Sequence, residues 1–168
     1  VSDHGMAETG SDKVIALADI VDPSLYRLVE GGAYATFEAT EGNVAAFESA
    51  LLGEHEHMTC WRKSEIPARY EYGTHPRIPP YFCLPETGWT ISAKASDSAW
   101  SGGNHGYDPF APEMASLFIA NGPAFGTGVT LEGFQNPAVA PLLRHLIGLP
   151  QATRADGNLE DVAGALAR

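Results

Sequence analysis

A chain of 168 residues is long enough for one domain with its own core, and an apolar content of 44% is that of a globular protein. A net charge of −11 works against general affinity for a nucleic-acid duplex, though not against a small phosphorylated ligand, because a bound metal reverses the local field. No apolar run approaches the roughly 20 residues of a membrane-spanning helix.

The chain opens on Val1-Ser2-Asp3-His4-Gly5-Met6. The run Val14-Ile15-Ala16-Leu17-Ala18 reads as a strand. Asp22-Pro23 has the form of a helix start, with Asp as cap and Pro at the first position. A short helix through Leu25, Leu28 and Val29 is expected to stop at Gly31-Gly32. Ala33 to Ala39 alternates and carries Tyr34, Thr36 and Phe37, the pattern of a strand. Val44, Phe47, Ala50 and Leu51 fall at helical spacing between Asn43 and Gly53, and Met58 to Arg62 reads as the next strand.

Pro67, Pro76, Pro79 and Pro80 break the following segment, leaving one short strand at Tyr70-Glu71-Tyr72. Tyr81 to Leu84 and Trp89 to Ala93 read as strands separated by the turn Pro85-Glu86-Thr87-Gly88. Ser96 to Phe110 is a Gly-, Ser- and Asp-rich loop holding His105. Leu117 to Ala120 reads as a buried strand ended by Asn121-Gly122-Pro123. Asn136-Pro137 is placed to cap an amphipathic helix with Val139, Leu142, Leu143, Leu146 and Ile147 on one side and Gly148 past its end. From Gln151 the tail is polar, with a weak helix at Asp161 to Ala167. There are no internal repeats.

Asp3 and His4 form the first chemical signal. A carboxylate and an imidazole side by side at a strand end can both reach one cation, and Gly5 lets the chain turn close to it. His105 is the second, in Gly102-Gly103-Asn104-His105-Gly106-Tyr107-Asp108, where glycines let the backbone pass near an ion or substrate. Tyr107 and Asp108 either support His105 from behind or form a plain turn. His55 and His57 flank Glu56, and a solvated loop accounts for them better than a metal site. Arg62, Arg69 and Arg77, near aromatics, could meet phosphate, but surface ion pairs with an acidic chain account for them better. Cys60 and Cys83, each in an apolar setting, are either a disulfide or two buried thiols.

Taken together, Ser2-Asp3-His4-Gly5-Met6, His105-Gly106-Tyr107-Asp108, Met114, Phe118 and Gly122-Pro123-Ala124-Phe125, in that order, resemble the C-terminal half of nucleotide pyrophosphatase/phosphodiesterases of the alkaline phosphatase superfamily. Cys60-Trp61-Arg62-Lys63, Ile66-Pro67-Ala68-Arg69, Pro76-Arg77-Ile78-Pro79 and Gly88-Trp89 are similar to the bacterial members. The likeness runs to about Pro150.

The resemblance implies an α/β fold: a partial alkaline-phosphatase-like α/β sandwich, with a small α+β excursion over residues 30–95 between the two metal motifs and a polar tail over 151–168. It implies two zinc ions in the full-length enzyme. Asp3 and His4 match the pair that holds one, and His105 matches a ligand of the other. The nucleophilic Thr and the remaining ligands are expected upstream, so the chain is expected to be the C-terminal segment of one catalytic domain and to need the N-terminal part of the same protein as its partner.

The implied reaction is cleavage of phosphodiester or pyrophosphate bonds of nucleotides through a phospho-enzyme, with no turnover by the isolated chain. Two other readings stay open. One is a hydrolase of other phosphodiesters or phosphonates in the same superfamily, and the other is a non-catalytic α/β binding fragment. Family members act in the periplasm or outside the cell, and a Cys60–Cys83 bond would agree with that location.

Overall fold

The computed structural model describes residues 1–167 and divides them into two compact units. The larger runs from His4 to Ala115, and the smaller joins Val1–Asp3 to the chain from Ser116 onward.

In the larger unit, strand β1 (Ala7–Gly10) is followed by β2 (Val14–Ala16). The expected strand through Ala18 stops at Ala16, where a 3-10 turn takes over at Leu17–Asp19 and buries Leu17 completely. The Asp22 cap is present, its Oδ1 accepting from the Ser24 amide at 2.9 Å. It starts only the 3-10 turn Pro23–Leu25, and the expected helix through Leu28 and Val29 is instead strand β3 (Tyr26–Glu30). The Thr40 amide donates to the Leu25 carbonyl at 2.9 Å and the Thr40 hydroxyl to that of Ser24 at 2.9 Å, so the helical turn cannot propagate. Tyr26 is then drawn against Phe37 and Phe47, and tertiary burial overrides local spacing.

Strand β4 (Ala35–Ala39), helix α1 (Val44–Leu51), β5 (Gly53–His55), β6 (Met58–Arg62) and β7 (Tyr81–Pro85) complete a five-stranded sheet of order β3-β4-β7-β6-β5, antiparallel throughout. Alternation puts Ala35, Phe37, Met58, Cys60, Tyr81 and Cys83 on one face, and α1 covers it with Phe47 and Leu51, both fully buried. Phe47 sits edge-on to Tyr81 at 5.0 Å between ring centroids. Cys60 and Cys83 are opposite one another in the β6–β7 ladder and are joined as a disulfide.

The turn from β5 to β6 is Glu56-His57, so His55 and His57 are built into a hairpin rather than a solvated loop. His57 has a left-handed φ of 63°, donates from Nδ1 toward the Glu86 carboxylate at 2.8 Å and stacks on Trp89 at 3.6 Å. The His55 Nε2–H donates to the Leu51 carbonyl at 2.7 Å. Neither imidazole faces a metal cluster among the described residues.

No strand forms at Tyr70–Tyr72. A 3-10 turn occupies Ala68–Tyr70, and Glu71 takes a left-handed φ of 48°, which an extended strand cannot contain. Strand β8 (Thr90–Ser92) runs parallel to β2, and β9 (Ser101–Asn104), inside the stretch expected to be all loop, pairs antiparallel with β1. Neither β1 nor β9 is signalled by composition: β9 is Ser-Gly-Gly-Asn, and its extended form comes from its partner.

In the smaller unit, Leu117–Ala120 is not the buried strand expected. Among the described residues no strand pairs there, and Leu117 and Ile119 are 63% and 70% exposed while Phe118 packs inward against Phe134. Helix α2 (Val139–Leu146) follows a 3-10 turn at Asn136–Ala138. Asn136 does not cap it; its amide donates to the Asp3 carbonyl at 2.6 Å. Leu142 is buried with Ala138 and Val162, whereas Leu143 and Ile147 on the expected apolar stripe are exposed. The expected terminal helix resolves into two 3-10 turns, Leu159–Asp161 and Ala163–Ala165.

Candidate metal centre

The β1–β9 ladder explains how two distant motifs meet. In an antiparallel pair the entry to one strand lies beside the exit from the other. Ala7 is opposite Asn104, so the segment entering β1 carries His4 to the point where the segment leaving β9 carries His105. The two imidazoles stack face to face, with centroids 3.6 Å apart and planes 13° from parallel. His4 is half-buried; Asp3, before it, and His105 are exposed.

Ring orientation limits what this pair can hold. An imidazole binds a cation through a lone pair in its own plane, at about 2.0–2.1 Å for zinc. Two nearly parallel rings with centroids 3.6 Å apart direct their lone pairs into separate planes, an arrangement that does not suit one shared ion. Two neighbouring ions, one in each plane, fit the geometry. Two imidazoles are donors of a kind that zinc accepts. His4 Nδ1–H donates to the Gly5 carbonyl at 2.8 Å, the kind of backbone contact that orients the ring of a metal-binding histidine. Among the described residues no three His, Cys, Asp or Glu side chains converge as a ready-made site.

Gly5 has a different task from the sharp turn expected of it. Its amide donates to the Met114 carbonyl at 2.9 Å, and a Cβ there would lie 2.0 Å from the Glu113 carbonyl oxygen and 2.6 Å from that of Ala115. Close approach of two backbones, rather than unusual dihedrals, requires the glycine. The approach ties the residue after His4 to the segment closing the larger unit.

Gly106, with φ of 100°, turns the chain after His105 and lies against the Tyr34 ring. Tyr107 then points inward, 3% exposed, with Ala7, Ala33 and Met114 around it; its hydroxyl has no hydrogen-bond partner among the described residues. Asp108 makes the turn that its residue type suggests, Oδ1 accepting from the Phe110 amide at 2.9 Å. Its other oxygen accepts from Arg69 at 2.7 Å and from the Tyr70 hydroxyl at 3.0 Å. Arg69 also donates to the Tyr70 hydroxyl and lies over the Phe110 ring. Burial pushes the Asp108 carboxyl up, but the Phe110 amide, Arg69 and Tyr70 together hold it below the usual carboxylate range.

Of the other arginines, Arg62 grips Glu48 through two nitrogens at 2.5 and 2.8 Å and reaches Glu65 at 3.0 Å. Sequence reasoning reached Asp3, His4 and His105 through their motifs. It singled out Arg69 for a surface ion pair and Asp108 as a support for His105 or a turn, but had no signal that the two pair with each other.

The profile described as type I phosphodiesterase / nucleotide pyrophosphatase matches residues 1–108. The human ectonucleotide pyrophosphatase/phosphodiesterase family member 5 is 32% identical over 148 residues, which is 88% of this chain and 31% of that protein. The Bos taurus bis(5'-adenosyl)-triphosphatase is 34% identical over 148 residues, 88% of this chain and 32% of that protein. The structure of human ectonucleotide pyrophosphatase/phosphodiesterase 5 superposes with a TM-score of 0.91 at 31% identity, over 99% of this chain and 44% of that one. An inactive form of the murine protein in complex with AMP gives 0.90 at 34% identity, again over 99% and 44%. The chain therefore spans less than half the length of these relatives, and its mixed α/β architecture is theirs.

Proposed function

The chain belongs to the type I phosphodiesterase / nucleotide pyrophosphatase family, and from that we propose that it is a segment of a zinc-dependent hydrolase that cleaves phosphodiester or pyrophosphate bonds of nucleotides. The observation that carries the reading is the stack of His4 on His105, which suits two adjacent ions and not one. Asp3 and His4 would hold the first zinc and His105 would contribute to the second. Paired cations stabilise both the attacking and the leaving oxygen at phosphorus when bound.

The chain's own residues have three tasks in this scheme. Asp3 supplies an anionic donor. His4, its ring oriented by the hydrogen bond from Nδ1 to the Gly5 carbonyl, would be a neutral donor. His105, exposed at the end of β9, offers its lone pair in a parallel plane. Three side chains cannot close two four-coordinate sites, so the nucleophile and the other ligands belong to the length that the relatives carry beyond this match. In this proposal the isolated chain turns nothing over, the whole of it belongs to one catalytic domain, and residues 30–95 are an excursion from that domain. The disulfide suits a periplasmic or extracellular location.

The test is zinc analysis and nucleotide hydrolysis by the full-length protein. A chromogenic nitrophenyl ester of a nucleoside monophosphate should be cleaved, and chelation should stop the reaction. Changing Asp3 and His4 together to Ala should remove about one bound zinc and abolish turnover. Undiminished zinc in that variant rejects the assignment. Bound nucleotide without hydrolysis by the unaltered protein would replace it with a binding role.

A further inference from the structure

The His105 turn is held from two directions. On its upstream side the β1–β9 ladder ends at Ala7 opposite Asn104. On its downstream side Gly106 lies against the Tyr34 ring, Tyr107 is buried, and Asp108 is gripped from outside the turn. That carboxylate is bound by Arg69 at 2.7 Å, by the Tyr70 hydroxyl at 3.0 Å and by the Phe110 amide at 2.9 Å. Arg69 and Tyr70 come from the 3-10 turn Ala68–Tyr70, inside the proline-broken stretch between β6 and β7. Tyr70 is in turn set beside Trp61 of β6 at 6.4 Å between ring centroids. The five-stranded sheet therefore reaches the His105 turn through this charged contact as well as through Tyr34, whose ring stacks on Phe82 of β7 and lies against Gly106.

We infer that Asp108, gripped by Arg69 and Tyr70, is a positioning residue that fixes the His105 imidazole for its metal ion. The inference rests on the zinc reading above. An ion pair between a half-exposed arginine and a carboxylate contributes little to global stability, because water screens it. Its effect is local. Residues that orient a metal ligand from behind typically change metal affinity by 10–100-fold when altered. Asp108 acts one step further away, through the backbone of a short turn, so the lower end of that range is expected. Phe110, with Arg69 lying over its ring, extends the same grip beyond the carboxylate.

The experiment is zinc titration of the full-length apoprotein against a chromophoric competitor, using Asp108→Asn, Arg69→Gln, Arg69→Lys and His105→Ala. Asp108→Asn and Arg69→Gln should each weaken one of the two zinc sites by about tenfold and leave the other unchanged, with the melting temperature little altered. The double variant should be no weaker than either single one, because both remove the same contact. Arg69→Lys should recover part of the affinity. If His105→Ala weakens a site while Asp108→Asn and Arg69→Gln leave both untouched, the positioning role is overturned and the zinc reading survives. If His105→Ala leaves both sites untouched, both fall. Should Asp108→Asn fail to fold, the Arg69→Gln and Arg69→Lys comparison decides alone.

Discussion

Cys60 faces Cys83 directly across the ladder between β6 and β7, and the two sulfurs are bonded. The bridge joins strands already hydrogen-bonded to each other and lies on the face that α1 covers. It therefore staples the centre of the five-stranded sheet.

Its removal should be costly. On the chain-entropy model a loop of this length is worth about 3 kcal/mol. Cys60→Ser with Cys83→Ser should lower the unfolding free energy by that order, read from urea titration. Thiol titration of the denatured, unreduced protein should find no free thiol.

Phe47 carries much of the contact between α1 and the sheet. Its ring touches Tyr26, Phe37 and Tyr81 and is fully buried. Phe47→Ala should destabilise by about 3–5 kcal/mol through lost burial and the cavity left behind. Phe47→Leu, which fills most of the space, should cost less than half of that.

Glu48 binds Arg62 and the Tyr81 hydroxyl, and the Arg62 hydrogen bonds are the main reason its carboxyl titrates below the ordinary range. A carboxylate with a lowered folded-state pKa stabilises the fold above its unfolded value, about 4.3, and loses that contribution as pH falls through the folded one. Urea midpoints should therefore decline below about pH 4.5, and Glu48→Gln should flatten part of that decline. Equal slopes in both proteins would remove Glu48 from the account.

Gly5→Ala places a methyl group against two backbone carbonyls that cannot swing aside. The strand entry must move, and His4 moves with it. A loss of about 1–3 kcal/mol is expected in thermal unfolding. In the full-length protein zinc content should fall as well. Ala at Gly102, where a Cβ would meet nothing within 4 Å, is the control.

How far the sequence could be read depended on where the information lay. Helix α1 was legible because Phe47 and Leu51 fall one turn apart and are the two residues it buries. Leu25, Leu28 and Val29 have much the same spacing, yet they became a turn and a strand. What decided that segment was Thr40, fifteen positions away from Leu25, and no local pattern records it. Leu117 and Ile119 form an apolar run, which encodes a tendency to be covered and not the identity of the cover.

The candidate site divides in the same way. Asp3, His4 and His105 are candidates by likeness to a family, residue by residue. The meeting of His4 with His105 required an antiparallel pairing in which one strand is Ser-Gly-Gly-Asn, a sequence that announces no strand at all. Arg69 and Asp108 are common surface residue types in irregular segments, and only coordinates pair them.

The pairing of Ala7 with Asn104 also sets an order of assembly. Closing so long a segment in one step carries the entropy of nearly the whole intervening chain, and the penalty shrinks once the sheet and α1 have already collapsed it. Nucleation should accordingly start among β4, β6 and β7, and the ribbon bearing both imidazoles should form last. Pulse-labelled hydrogen exchange during refolding would see this as amides of Phe37 and Phe82 protected before those of Glu8 and Gly103; simultaneous protection would refute it.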